Sequence, residues 1–460
     1  MKAKNSFFLF TFLSLIAVFV WLDTLYLVPD VKYVLFGHYL VHCIALYYSS
    51  KELSDLKFPF VLFISLVNII TFFYAPAIID PQDFQLGTLN YEVLSDLLIG
   101  YIIFYTIYFF LSTIQLRNIK WIKPKQQNLV YRKDAFKRLK ILFLVLYIVQ
   151  LLFEFPISGL NDFIELFTIG LYMIGFLLNI NSKLENLLFI GLISFQSLKV
   201  VTSGLIFTII YFAIYLIVLF KNYGLQSRKG KYFIGSLLAI YLIFSILFSS
   251  VKMEYRTYKF TSNSILEKVK VIYTLVTEQQ NSTDVQSFKE QTKQGPVWRL
   301  SYPLSAISLV KEKTPSTIPY WKGESYFPIF TKFIPRFIWP DKPTENMGQE
   351  FGHRYGILAW DNLTTSMNTP VVAEAYMNFG EIGFYFIFFF MAVVIAKVYI
   401  KQNRTQSQDR LSVDTIVNTI TIAIATVYFT QWESNLTMMI GKFIILYVTT
   451  KLIRRFIIQA

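Results

Sequence analysis

The chain has 460 residues, of which 55% are hydrophobic, 18% aromatic and 16% charged, and its mean hydropathy is +0.48. Soluble proteins of this length are typically about a quarter charged, so the composition excludes an ordinary soluble domain and predicts a polytopic membrane protein. The formal net charge of +14 would suggest nucleic acid for a soluble chain. In a membrane protein the placement of charge is more informative than its sum, and we expect no nucleic-acid partner.

Twelve apolar segments are candidates to cross a bilayer core about 30 Å thick, which needs roughly 20 helical residues. The first follows a basic start but lacks a small-residue cleavage site, so we interpret it as a span rather than a signal peptide. The expected fold class is an all-α polytopic membrane protein with about 12 transmembrane helices. The candidate spans lie near residues 6–26, 31–49, 58–78, 92–115, 140–156, 161–181, 184–200, 202–220, 232–251, 381–400, 412–430 and 437–453.

The connections between these segments predict their orientation. Residues 116–139, 221–231 and 401–410 are rich in Lys and Arg, whereas 79–91 and 431–436 contain neither. Positive charge accumulates in cytoplasmic loops. The pattern therefore predicts both termini in the cytoplasm.

One long connection interrupts the series of spans. Residues 252–380 lie between the ninth and tenth spans, on the predicted extracytoplasmic side, and divide the chain into a membrane domain at 1–251, this loop, and a second membrane domain at 381–460. Within the loop, 261–276 and 299–311 have the apolar spacing of short amphipathic helices. Loops of this length are uncommon and usually functional, so we expect the active site in it.

The loop contains cations with aromatic neighbours. The planar fork of arginine matches phosphate oxygens in two-point hydrogen bonds, and an adjacent ring can orient the guanidinium by stacking. In "FIPRFIWPDKP", Arg336 lies between Pro335 and Pro340, which restrict the backbone. These features predict a phosphate clamp, although such arginines can instead contact lipid headgroups or the loop's own acids. The candidate cations are Arg256, Arg299, Arg336, Lys342 and Arg354.

Two further loop residues are candidate proton acceptors. Glu374, in "AEAYMNFG", and His353, in "FGHRYG", could each take a proton from an attacking hydroxyl. Glu374 could alternatively pair with an arginine and hold the loop in place. His38 and His42 are spaced for two metal ligands, but a metal site needs a third, so polar packing is favoured.

Two segments carry a resemblance to a known family. "GESYFPIFTKFIPRFIWPDKP" and "TPVVAEAYMNFGEIGF" resemble the Wzy-type oligosaccharide repeat-unit polymerases, which build O-antigen and related bacterial polysaccharides. The matching residues are Pro335, Arg336, Trp339, Pro340, Lys342 and Pro343 in the first segment, and Glu374, Tyr376, Asn378, Phe379, Gly380 and Gly383 in the second. Many members carry an arginine in a mid-chain element where this chain reads "LKVVTSGLIF", so Lys199 would have to replace it.

The resemblance implies a GT-C-like polymerase of the bacterial inner membrane that serves O-antigen, capsule or exopolysaccharide synthesis. It would transfer glycan from a polyprenyl-pyrophosphate carrier to a sugar hydroxyl of another lipid-linked unit, without metal or other cofactor. Its expected partners are the lipid-linked oligosaccharide, the bilayer, and a chain-length regulator and flippase of the same pathway. Preorganised cations would stabilise the leaving pyrophosphate.

The implied roles divide the candidate residues into three groups. The catalytic group is Arg336, Glu374 and His353, the pyrophosphate-binding group is Arg256, Arg299, Arg336, Lys342 and Arg354, and the sugar-stacking group is Trp339 and Tyr376. Interfacial anchoring explains the tryptophan equally well. Two other functions stay open, an O-antigen ligase and a transporter or flippase. A transporter is expected to contain internal repeats and charges near the bilayer midplane, whereas here the charges gather at the predicted outer side.

Overall fold

The computed structural model describes residues 27–54, 60–84, 86–117, 129–153, 159–202, 206–223, 265–281, 301–331, 346–363, 365–405, 413–430 and 435–455, with 14, 16–25, 155, 232, 235, 236, 239, 255, 258, 339 and 341 between them. All regular structure in these ranges is helical, and no strand occurs within them. The predicted all-α class is thus confirmed for the described part of the chain. The ninth predicted span, 232–251, lies largely outside it.

The main helices are, in chain order, α1 (Pro29–Ser54), α2 (Phe60–Asn68), α3 (Ala75–Ile78), α4 (Glu92–Arg117), α5 (Leu129–Leu152), α6 (Leu160–Leu177), α7 (Lys183–Thr202), α8 (Ile206–Tyr223), α9 (Ile265–Asn281), α10 (Tyr302–Lys313), α11 (Pro328–Thr331), α12 (Met347–Arg354), α13 (Val371–Thr405), α14 (Val413–Thr430) and α15 (Leu436–Ile453). A π-helix, Ile69–Tyr74, joins α2 to α3. Helices α9 and α10 lie where the sequence predicts two short amphipathic helices.

Four helices within the described residues are long and apolar enough to cross a membrane: Glu92–Thr113, Leu160–Leu177, Val371–Ile400 and Leu436–Ile453. The protein is therefore a membrane protein. The remaining members of the twelve-span prediction, and the orientation of all spans, stay predictions.

The chain forms two compact units. The first comprises Met1–Lys120, Val297–Asn403 and Gln431–Ile440, and the second comprises the remaining residues. In the first, α1 packs on α2, the π-helix and α4, and α10 packs on α4. In the second, α6 packs on α5, α7, α8 and α14. The later part of the predicted loop, with α10 to α12, thus belongs to the first unit.

The core of the first unit contains the predicted histidine pair. His38 and His42 are fully buried. His38 Nε2 lies 2.8 Å from the carbonyl oxygen of Leu94, and His42 Nδ1 lies 2.9 Å from the Tyr105 hydroxyl. Tyr105 in turn is 2.9 Å from the hydroxyl of Ser65. These contacts place both rings in a polar packing network, the interpretation that the sequence favoured.

Helix α13 begins earlier than predicted and is broken. The tenth span was expected from residue 381, whereas the structure is helical from Val371, with non-helical backbone at Gly380 (φ 61°, ψ −142°). A positive φ strains any residue with a Cβ. A Cβ at Gly380 would also lie 2.8 Å from the Tyr320 hydroxyl, and one at Gly383 would collide with the carbonyl oxygen of Ala375. Both glycines are therefore required by the shape of this helix.

Candidate functional site

The two motif segments meet around the carboxylate of Glu374. This side chain is 0% exposed, although it lies in the first turn of α13. The Ser325 hydroxyl donates to Oε1 at 2.8 Å, and the Leu436 N–H at the start of α15 donates to Oε2 at 2.6 Å. A buried carboxylate is costly unless its oxygens accept hydrogen bonds. Both oxygens are engaged here.

Asn378 extends this network by one helical turn. Residues four apart lie on the same helix face, so Asn378 faces the same segment as Glu374. Its Nδ2 donates to Ser325 Oγ at 2.7 Å and to the Glu374 carbonyl at 2.8 Å, while its Oδ1 accepts from the Gly323 N–H at 2.8 Å. The Trp321 N–H also donates to the Met377 carbonyl at 2.9 Å. We call this assembly of residues 321–325 with 374–378 the motif clamp.

The motif clamp bears on the role predicted for Glu374. Of the two interpretations left open by the sequence, holding the loop in place fits a buried carboxylate with two donors. Among the described residues, the Ser325 hydroxyl and the Leu436 N–H donate to it, and its pairing with an arginine stays a prediction. A role as proton acceptor would require one of these bonds to open.

Arg354 lies beside the motif clamp. Its Nη1 and Nη2 donate to the two carboxylate oxygens of Glu324 at 3.0 and 2.8 Å, and Glu350 lies 3.4 Å away. The guanidinium carbon is 4.1 Å from the centroid of the Trp321 ring. The hydrogen bonds from Arg354 lower the pKa of Glu324 and raise the pKa of Arg354 itself. The predicted arginine on an aromatic ring is therefore present, but an anion binding there would have to displace Glu324.

The remaining described candidates are His353, Tyr376 and Trp339. His353 is nearly buried, and its ring stacks on Trp360 with centroids 5.1 Å apart. Within the part of the chain that the structure describes, its Nδ1 has no hydrogen-bond partner. Tyr376 is 7% exposed and packs against Tyr320. That burial leaves little ring surface for a sugar and favours a packing role. Trp339 is partly exposed.

The structure does not describe four of the predicted cations. Arg256, Arg299, Arg336 and Lys342 lie outside the described residues, so their roles stay predictions. Lys199, considered as a replacement for a family arginine, belongs to the second unit. Its Nζ lies 3.0 and 3.2 Å from the two carboxylate oxygens of Glu165, which is buried.

Sequence reasoning missed a second charged group in the first unit. Lys311, near the end of α10, places its Nζ 2.5 Å from Asp96 Oδ2 and 2.7 Å from Glu381 Oε1. The hydroxyl of Tyr385 donates to Asp96 Oδ1 at 3.2 Å. We call Asp96, Lys311 and Glu381 the charged triad. The sequence did contain a clue to the charged triad: Asp96 is a carboxylate inside an apolar predicted span, and such a residue is a functional candidate by default.

The fold and these sites define the protein as a helical membrane protein with a buried polar clamp and a separate charged triad in one compact unit. Residues 61–456 match the family described as "Domain of unknown function (DUF8712)", and because this match covers most of the chain, the protein belongs to that family. No curated protein and no solved structure matches the chain.

Proposed function

We propose that this protein polymerises lipid-linked oligosaccharide repeat units of a bacterial surface polysaccharide at the inner membrane. The observation that carries the proposal is the motif clamp. The two segments that resemble Wzy-type polymerases are about 50 residues apart in sequence, yet Ser325, Glu374 and Asn378 join them through buried hydrogen bonds. Their joint occurrence in the sequence thus corresponds to one structural element.

The reaction moves the growing glycan from one lipid carrier to another lipid-linked unit. An acceptor hydroxyl oxygen bonds to the anomeric carbon of the donor sugar, and the bond from that carbon to the pyrophosphate oxygen breaks. The pyrophosphate leaves with the electron pair, and the hydroxyl proton passes to a base. Because the donor already contains the energy-rich bond, no nucleotide is consumed.

The chain offers cations for the negative charge that develops on the leaving group. Fixed donors stabilise such charge most where water is excluded. Arg354 is held on the Trp321 ring beside the motif clamp and could serve once the pyrophosphate replaces Glu324 as its partner. Arg336 and Lys342 follow the clamp segment in sequence. The apolar spans would lie in the bilayer, where the polyprenyl tail of the carrier can remain during the transfer.

The test uses purified protein and polyprenyl-pyrophosphate-linked repeat units, with no nucleotide sugar. We expect a ladder of products on a gel. A ligase would instead move glycan to a different acceptor, and a transporter or flippase would form no new bond. If wild-type protein makes no ladder, or makes one only with added nucleotide sugar, the proposal fails.

A charge-conserving variant tests the cation role. Arg336→Lys retains the charge but loses the two-point fork. The lost charge-assisted hydrogen bond, about 1.5–3 kcal/mol, corresponds to a rate loss of about 10- to 160-fold. Arg455→Lys, at the end of the described C-terminal segment, makes the same chemical change and should leave the ladder unchanged. Equal activity of the two variants would remove Arg336 from the site.

A further inference from the structure

The charged triad differs from the motif clamp in accessibility. Glu374 is fully buried with both oxygens bonded, whereas the side chain of Glu381 is 53% exposed. Oε1 of Glu381 contacts Lys311, and among the described residues Oε2 makes no hydrogen bond. Glu381 therefore presents a carboxylate that is both fixed at one oxygen and reachable by a ligand.

The fixed oxygen depends on an immobilised lysine. The Lys311 side chain is 9% exposed, and its Nζ lies 4.9 and 4.8 Å from the ring centroids of Tyr376 and Phe384. Cation–π contacts of this kind add to the ion pairs with Asp96 and Glu381. The ammonium is thus held by groups on α4 and α13 and in turn orients the carboxylate of Glu381.

The charge balance of the triad suits a proton acceptor. Two carboxylates face one ammonium, so one negative charge is left uncompensated within the triad. Asp96 uses Oδ2 for Lys311 and Oδ1 for the Tyr385 hydroxyl. Glu381 is consequently the member with an oxygen available to accept a proton from a ligand.

The triad and the arginine beside the clamp are connected through two consecutive residues. The Tyr320 ring lies against Tyr376, and its hydroxyl lies 2.8 Å from the position that a Cβ would take on Gly380, the residue before Glu381. Trp321, the next residue, supports the guanidinium of Arg354. Neighbouring α-carbons are about 3.8 Å apart. One short segment therefore links a reachable carboxylate to a cation.

We propose that Glu381 is the general base of the glycan transfer. It accepts the proton of the acceptor sugar hydroxyl as that oxygen bonds to the anomeric carbon, while the pyrophosphate leaves with the electron pair. Protonated Glu381 then releases the proton to solvent. The assignment rests on the proposed polymerase function and gives the base role to Glu381 rather than to Glu374 or His353.

The experiment compares wild type with Glu381→Gln and Glu381→Ala in the ladder assay. Glutamine keeps the shape but cannot accept the proton, and general base catalysis contributes about 10²- to 10⁴-fold. We expect a loss of that size in the turnover rate and little change in KM for the acceptor. The control is Glu312→Gln, which removes an exposed carboxylate adjacent in sequence to Lys311 and should retain wild-type turnover.

Two readouts separate a base from a residue that merely orients Lys311. Among the described residues, the charged and titratable groups facing Glu381 are Lys311, Asp96, Tyr376 and Tyr385. Wild-type turnover should fall on the acid side of its pH profile, and Glu381→Gln should lose that acid limb. Added formate should partly restore Glu381→Ala.

The outcomes distinguish this assignment from the proposed function. Glu381→Gln with turnover within threefold of wild type overturns the assignment while the ladder itself upholds the polymerase. A reduced rate that keeps the wild-type acid limb and resists rescue by formate also overturns it. A wild-type protein without any ladder contradicts the polymerase function and the assignment together.

Discussion

Removing the carboxylate of Glu374 should unfold the motif clamp. Glu374→Ala leaves the Ser325 hydroxyl and the Leu436 N–H without the acceptors that they now have at 2.8 and 2.6 Å. Each buried donor left unpaired costs about 1–3 kcal/mol, so the expected loss in the free energy of unfolding is about 2–6 kcal/mol. Glu374→Gln keeps one acceptor oxygen and should lose about half as much.

The assay is the unfolding midpoint of purified protein in mixed detergent micelles, followed by circular dichroism as the denaturing detergent is increased. Glu350→Gln is the matched control, because Glu350 is half-exposed and its ion pair with Arg354 is long, at 3.4 Å. Exposed ion pairs contribute about 0–1 kcal/mol, so this variant should stay close to wild type. If Glu374→Ala unfolds at the same midpoint as Glu350→Gln, the buried clamp does not form as described.

Two further predictions concern the backbone and the pH dependence of the first unit. Gly380→Ala should destabilise by about 1–3 kcal/mol because of its positive φ and the Tyr320 hydroxyl nearby, whereas Gly191→Ala, with open space around it, should be neutral or stabilising. Equal midpoints would contradict the break at Gly380. Because Arg354 lowers the folded-state pKa of Glu324, this pair stabilises above the ordinary carboxyl pKa of about 4.3 and loses that contribution as pH falls through the folded-state value. The midpoint difference between wild type and Glu324→Gln should therefore shrink from pH 7 to about pH 3, and a constant difference would refute the linkage.

The positions of the long helices were accessible from the sequence. The segment predicted at 92–115 is the helix Glu92–Arg117, and the one at 161–181 is Leu160–Leu177. A run of about 20 apolar residues carries this information locally, because it must satisfy its own backbone hydrogen bonds in lipid. Amphipathic spacing, which is also a local pattern, placed two short helices in the loop.

The contacts of the site were not accessible in the same way. Glu374 was recognised as a candidate, but its partners Ser325 and Leu436 are 49 and 62 residues away. No local pattern specifies which distant donor meets a carboxylate. Tyr376 was expected to stack on a sugar, yet its ring is buried beside Lys311. The sequence could not show this, because a residue type does not reveal which face of α13 packs against other helices.

The motif itself now has a physical explanation that changes where chemistry should be sought. Glu374 and Asn378, one turn apart, bind residues 321–325, and Gly380 supplies a backbone conformation that other residues adopt only with strain. These residues specify a shape, with their polar atoms used internally. A shape of this kind serves function by positioning other groups. Among the described residues it leaves Glu381 reachable, directly after the break, and it holds Arg354 on the Trp321 ring in an ion pair with Glu324. Under the proposed polymerase function, the resembling segments act as a scaffold, and the chemistry is assigned to the side chains that this scaffold presents.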